Sequence, residues 1–195
     1  MKLITIILTI FFFYSANANE IKSIVLVDSY SITNVDLIKE IRVNEILKRK
    51  SLNEAEKRIL LKNLIEEKIK KIEVDKNNVN VNKDAVNKRV SQILSNYQLN
   101  EIDKDKIKKY MFNKVEINMR WNKLITILFS RKLEINMNEL EENIKNKNID
   151  IKNKEKLIKI EKTKKINIIS NTFYNEVKRK YLIKNIRWIQ FVFCW

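Results

Sequence analysis

Along most of this chain, apolar residues return every three or four positions among Lys, Asn and Glu, and only its ends carry dense apolar runs. Ile21 to Val27, rich in Ile and Val, predicts a short β-strand. Asp28-Ser29-Tyr30-Ser31 reads as a polar turn, and Ile32 resumes a brief strand. Thr33 with Asp36 forms a capping box, weaker for its Asp than one built on Glu or Gln, and opens a helix to about Leu47. Ser51 with Glu54 repeats the signal in the S-x-x-E form. Leu61, Leu64, Ile65, Ile69 and Ile72 then share one stripe, with Lys and Glu opposite, until Asp75-Lys76-Asn77-Asn78 closes the helix.

A further helix is expected from near Asn82, aligning Val86, Val90, Ile93, Leu94 and Tyr97. A shorter one covers about Asp103 to Phe112, and Trp121, Leu124, Ile125, Leu128 and Phe129 stripe another. Asn136 with Glu139 caps one more, which dissolves into Asn143 to Asn148. Residues 146–165 are charged and poor in apolar side chains, so they read as a linker or a loose helix. Ile169, Phe173, Val177 and Tyr181 recur at helical spacing within Ile166 to Tyr181, and Leu182 to Ile186 reads as a closing strand.

The expected fold is mainly α, a multi-helix body with a small sheet. Helices this amphipathic must bury their stripes against one another. The two terminal strands are each too isolated for a sheet of their own. Pairing them satisfies their backbone groups and brings the chain ends together.

Composition removes whole classes of chemistry. The 195 residues include no Gly, no Pro, no His and one Cys. Without Gly there is no Gly-rich phosphate loop, Rossmann fingerprint or ordinary nucleophile elbow. Without His the commonest general base and zinc ligand are gone. Cys194 alone makes neither an internal disulfide nor a cysteine-cluster metal site. No cofactor or metal is expected, and no catalytic set emerges from the remaining Asp, Glu, Lys, Tyr and Ser. The net charge of +16 has two readings. One is codon drift in an AT-rich genome, filling tolerant surface positions with Lys and Asn. The other is a surface selected to bind polyanions.

Met1-Lys2, the apolar stretch Leu3 to Tyr14 and the small-x-small run Ser15-Ala16-Asn17-Ala18 have the order of a secretory signal peptide, with cleavage expected after Ala18. An uncleaved anchor in the inner membrane is the alternative. The expected location is the periplasm, with no membrane span after cleavage and no nucleic-acid partner. The expected organisation is residues 1–18 as signal, 19–145 as a helical domain, 146–165 as linker, 166–187 as a completing helix and strand, and 188–195 as an apolar tail. That tail, Trp188 to Trp195, reads equally as an extra strand, a contact surface, a membrane-interface tail or a frameshifted extension.

The order and local sequence resemble the SurA family of periplasmic chaperones, from about Ile21 to Ile144. The resemblance lies in IVLVDSYSITNVDL (Ile24 to Leu37), LLKNLIEEKIKKIEVDKNNVNVNKDAVNKRVSQI (Leu60 to Ile93), RWNKLI (Arg120 to Ile125) and EINMNELEENI (Glu134 to Ile144). Ile166 to Ile186 more weakly resembles the family's C-terminal helix and strand, which fold back on the core. Family members carry parvulin-type prolyl isomerase domains after this region. The residues between Ile144 and Ile166 are too few for one, and the His residues of its usual active site are missing.

The resemblance implies a SurA-like core without isomerase modules. Such a core is expected to hold unfolded outer-membrane-protein chains without ATP, in contact with the outer-membrane assembly machinery. Binding of that kind uses adaptable apolar surface. The expected lining is Met111, Phe112, Met119, Trp121, Phe173, Tyr174 and Tyr181, with Phe129 beside them; core packing is the competing role, strongest for Trp121 and Phe129. Lys-rich stretches such as Lys68 to Lys71 read as solvated faces that also speed encounter with acidic chains. Prolyl isomerisation, polyanion binding and a degenerate remnant are the alternative functions.

Overall fold

The computed structural model describes residues 20–134, 137 and 154–186. The expected signal peptide and its cleavage site, the Asn136 cap, residues 146–153 of the expected linker and the tail with Cys194 lie outside the described residues. The protein is mainly helical, with one small antiparallel sheet. In chain order the elements are β1 (Ser23–Val27), β2 (Tyr30–Thr33), α1 (Asn34–Lys48), α2 (Glu54–Lys76), α3 (Lys83–Leu94), α4 (Glu101–Leu128), a 3₁₀ turn (Ser130–Leu133), α5 (Lys154–Lys178) and β3 (Ile183–Asn185).

The sheet order is β2-β1-β3, so the first strand is central and the last strand lies at an edge. Val25 faces Asn185, Leu26 faces Lys184 and Val27 faces Ile183, which is the expected union of the two described chain ends. The hairpin between β1 and β2 turns through Asp28 at φ 51°. Arg49 and Asn78 also take positive φ, at 53° and 51°. In a chain without Gly these left-handed positions fall to other residues. Asp and Asn tolerate them, whereas Arg49 bears the steric cost at the C-cap of α1, where its guanidinium also donates to the Gln98 carbonyl.

Helix starts follow their caps. Thr33 accepts from the Asp36 N–H while Asp36 accepts from the Thr33 N–H, the expected capping box of α1. The box at α2 is formed by Asn53 and Glu56 and not by Ser51 and Glu54. Leu52 is buried in the core, and its N–H donates to Glu45, so the chain turns helical only after it. Asn82 caps α3 as expected, but α3 ends at Leu94, leaving Tyr97 beyond it and exposed.

Two helices are longer than their patterns suggest. Asp103 to Phe112 and the Trp121 stripe belong to one helix, α4, because Asn113 to Arg120 holds no breaker, buries Val115 against α3 and buries Ile117 in phase with Trp121 and Leu124. α5 starts at Lys154, so residues 154–165 take the helical one of the two expected forms, linker or loose helix. Lys and Glu are good helix formers, and Leu157, Ile158 and Ile166 are half-buried along one side.

Among the described residues the core has three clusters. The first joins the sheet to α1, α2 and the end of α5 through Ile24, Val25, Val27, Ile32, Leu37, Leu61, Ile69, Ile72, Val177 and Tyr181. The second joins the ends of α2 and α4 to α5 around Trp121, Leu124 and Ile125. The third packs α3 on the first half of α4, with Val86, Val90 and Ile107 central and the end of α1 alongside.

Candidate functional site

The expected lining residues do not form one groove. Met111, Phe112 and Met119 are half-buried together against the α3–α4 cluster. Phe112 also lines a shallow recess with Asn87, Asp105, Lys108, Lys109 and Asn113. Trp121, Phe129, Phe173 and Tyr174 meet elsewhere, where α2, α4 and α5 cross. Trp121 is 1% exposed and therefore cannot line an open surface. Its ring stacks on Phe173 with centroids 5.4 Å apart, and Phe129 meets Phe173 edge-on at 5.4 Å. Trp121 Nε1 donates to Ser170 Oγ at 2.7 Å, giving the buried indole N–H its partner. Lys70 Nζ lies 5.7 Å from the Trp121 ring centre and 5.9 Å from that of Tyr174. Burial and then the charge of Glu66 push the Tyr174 hydroxyl up to about 12, so it stays protonated at physiological pH.

Tyr181 is likewise buried and bolts the turn after α5 to the end of α2. Its hydroxyl donates to Glu73 and accepts from Lys76 Nζ, the latter at 2.8 Å. Burial and then the Glu73 bond raise the Tyr181 pKa, and the Tyr181 bond raises that of Lys76. Trp121 and Tyr181 therefore hold elements together, because their polar atoms and rings are already engaged.

An open apolar-floored cleft of about 660 Å³ lies between the end of α4, the 3₁₀ turn and the first half of α5. Thr126, Ser130, Leu133, Glu134, Met137, Ile158, Lys162 and Ile166 line it. Lys165 Nζ donates to the Glu134 carbonyl at 2.5 Å and pins one rim. Its volume is in the range of sites that take a ligand segment. None of its residues was among those expected from sequence. Ile158 and Ile166 lie two helical turns apart, a spacing visible in the sequence but obscured by dense Lys and Asn.

The sequence reading also missed an ion cluster in which Glu40 is buried and Lys114 and Glu67 are half-buried. Lys114 on α4 reaches Glu40 on α1 at 2.8 Å and Glu67 on α2 at 2.9 Å. Burial opposes its charge, but attraction to Glu67 and Glu40 outweighs this and raises its pKa. Nearby, Arg120 bonds Asp75 at 2.6 Å and the Val79 carbonyl at 2.6 Å, tying α4 to the end of α2. Although burial opposes ionisation of Asp75, Lys71 and Arg120 lower its pKa.

Among the described residues there is no group of three His, Cys, Asp or Glu side chains arranged to hold a metal ion. No described helix is long and apolar enough to cross a membrane. Comparison with protein-family models, with curated proteins and with solved structures finds no match for this chain.

Proposed function

We propose that this protein is an ATP-independent holdase of the SurA type. It binds unfolded exported chains, in particular outer-membrane proteins, in the periplasm. The observation that carries this reading is the open cleft between α4 and α5, with Leu133, Ile158 and Ile166 on its floor and Lys162 at its rim. An apolar floor offers unfolded segments a favourable transfer from water without demanding a particular sequence. The β1–β3 pairing supports the same reading, since it binds the strand after α5 to the start of the described chain and anchors the base of α5. Exposed Lys104, Lys106, Lys108 and Lys109 on α4 would draw acidic clients at long range.

On this reading the protein carries out no chemistry, and a proline-peptide isomerisation assay should give the uncatalysed rate. The decisive assay is aggregation of a urea-unfolded outer-membrane protein diluted with the chain and without nucleotide. Suppression at near-equimolar ratio, persisting at raised salt, is expected. No suppression at any salt concentration would refute the proposal. Suppression that vanishes steeply with salt would favour simple polyanion binding instead.

A further inference from the structure

A second, smaller cavity of about 240 Å³ lies between α1, α2 and α4, away from the apolar cleft. We propose that it binds a carboxylate carried on a short apolar stem, through Lys39 and Lys68. This inference is independent of the holdase reading.

Charged side chains surround the space. Four lysines line it: Lys39, Lys68, Lys71 and Lys114. Two are already engaged, Lys71 with Asp75 at 2.6 Å and Lys114 with Glu40 and Glu67. Lys39 and Lys68 have no hydrogen bond or ion pair among the described residues. The acids of the lining, in contrast, are both occupied. Glu67 serves Lys114. Asp36 accepts from the Thr33 N–H at 2.9 Å and the Thr33 hydroxyl at 2.8 Å, and its charge is offset by the N-terminus of α1. The Lys114 cluster carries one excess negative charge against the two positive charges of Lys39 and Lys68. One further negative charge balances the site, whereas a dianion overloads it.

The remaining lining fits the stem. Ile32 and Ile117 are buried and Leu64 is half-buried, giving an apolar floor beside the free ammonium groups. Tyr110 also lines the cavity, and Lys114 Nζ lies 5.5 Å from its ring centre. Lysine ammonium to carboxylate bonds are charge-assisted, and the partly enclosed site screens them less than open water does.

The test is titration of the isotopically labelled chain with small probes at constant ionic strength, followed by NMR shifts of the residues around the cavity. N-acetyl-leucine represents a polypeptide C-terminus, N-acetyl-glutamic acid α-amide an acidic side chain, and butyrate a free acid. Saturable shifts centred on Lys39, Leu64, Lys68 and Ile117 are expected for at least one carboxylate, and the tightest probe identifies the source. N-acetyl-leucinamide should shift nothing. The Lys39→Gln/Lys68→Gln variant should fold with an unchanged melting temperature and bind at least tenfold more weakly. Linear, unsaturated shifts with every carboxylate would overturn the proposal. So would equal binding by the amide, equal binding by the double variant, or tighter binding of inorganic phosphate.

Discussion

Asp28 and Leu182 exchange two hydrogen bonds across the junction of the chain ends: the Asp28 N–H donates to the Leu182 carbonyl at 2.9 Å, and the Leu182 N–H donates to Asp28 Oδ1 at 2.8 Å. At the other end of the same ladder the Ile186 N–H donates to the Ile24 carbonyl at 2.9 Å. Bonded pairs alternate along an antiparallel ladder, so Leu26 and Lys184 form the bonded pair between them, and the N–H groups of Ile183 and Asn185 face outward.

That register makes proline substitution position-dependent. Lys184→Pro removes a ladder donor and is expected to destabilise the protein by about 1–3 kcal/mol, the cost of leaving a sheltered carbonyl unpaired. Asn185→Pro lies one residue away but spares the ladder, and should cost clearly less. Urea unfolding of the two variants measures the difference. Equal losses would mean that the register is wrong.

The joint between α4 and α5 depends on the bond from Trp121 to Ser170. Ser170→Ala leaves a buried indole N–H without a partner and should cost about 1–3 kcal/mol. Trp121→Phe removes the donor as well as some packing. In the double variant the loss should be smaller than the sum of the two single losses, by about 1 kcal/mol. A double-mutant cycle in urea reads this directly, and strict additivity would exclude the bond.

Lys114 neutralises two carboxylates on different helices, and its removal strands both. Lys114→Met is expected to cost about 3 kcal/mol or more. Adding Glu40→Leu and Glu67→Leu to it should restore most of that loss, since replacing every member of a largely buried ionic cluster with apolar groups leaves no charge stranded. Thermal unfolding of the single and triple variants checks the order.

Acid should loosen the start of α2. Glu56 is held down to about 2, first by the backbone N–H of Asn53 and then by Lys48 and Lys50, against an ordinary value of 4.5. A depressed folded-state pKa stabilises the fold above the unfolded value, and the contribution fades as pH falls from about 4.5 towards 2. The melting temperature of the native sequence should therefore drop through that window more steeply than that of Glu56→Gln, which starts lower at neutral pH. Parallel acid limbs for the two proteins would contradict this.

The parts of the fold that were legible are those carried by local pattern. The Thr33–Asp36 cap, the Asn82 cap and the stripe from Leu61 to Ile72 all rest on fixed spacings within one element. The union of the end strands followed from a global constraint, the need to pair isolated backbone groups. Helix length was harder to read. Periodicity shows where apolar side chains recur, but it does not show that Asn113 to Arg120 continues the turn, nor does it decide between linker and loose helix for the Lys-rich run from Lys154.

The site was less legible than the fold. Large aromatics attract attention as binding residues, yet Trp121 and Tyr181 are buried because they pack well and find polar partners. The cleft is floored by ordinary Leu and Ile, brought together from α5 and the 3₁₀ turn by tertiary packing. The Lys114 cluster joins three helices, and no spacing along one helix announces it.

The most direct measurement is site-specific photo-crosslinking to an unfolded outer-membrane protein, with the reactive side chain placed in turn at Ile158, Ile166 and Ile59. Ile59 is 54% exposed and apolar but lies on α2, outside the cleft lining. Strong crosslinks at Ile158 and Ile166 with weak ones at Ile59, competed by a second unfolded client, are the result the account requires. Equal crosslinking at all three positions, or none at Ile158 and Ile166, would contradict it.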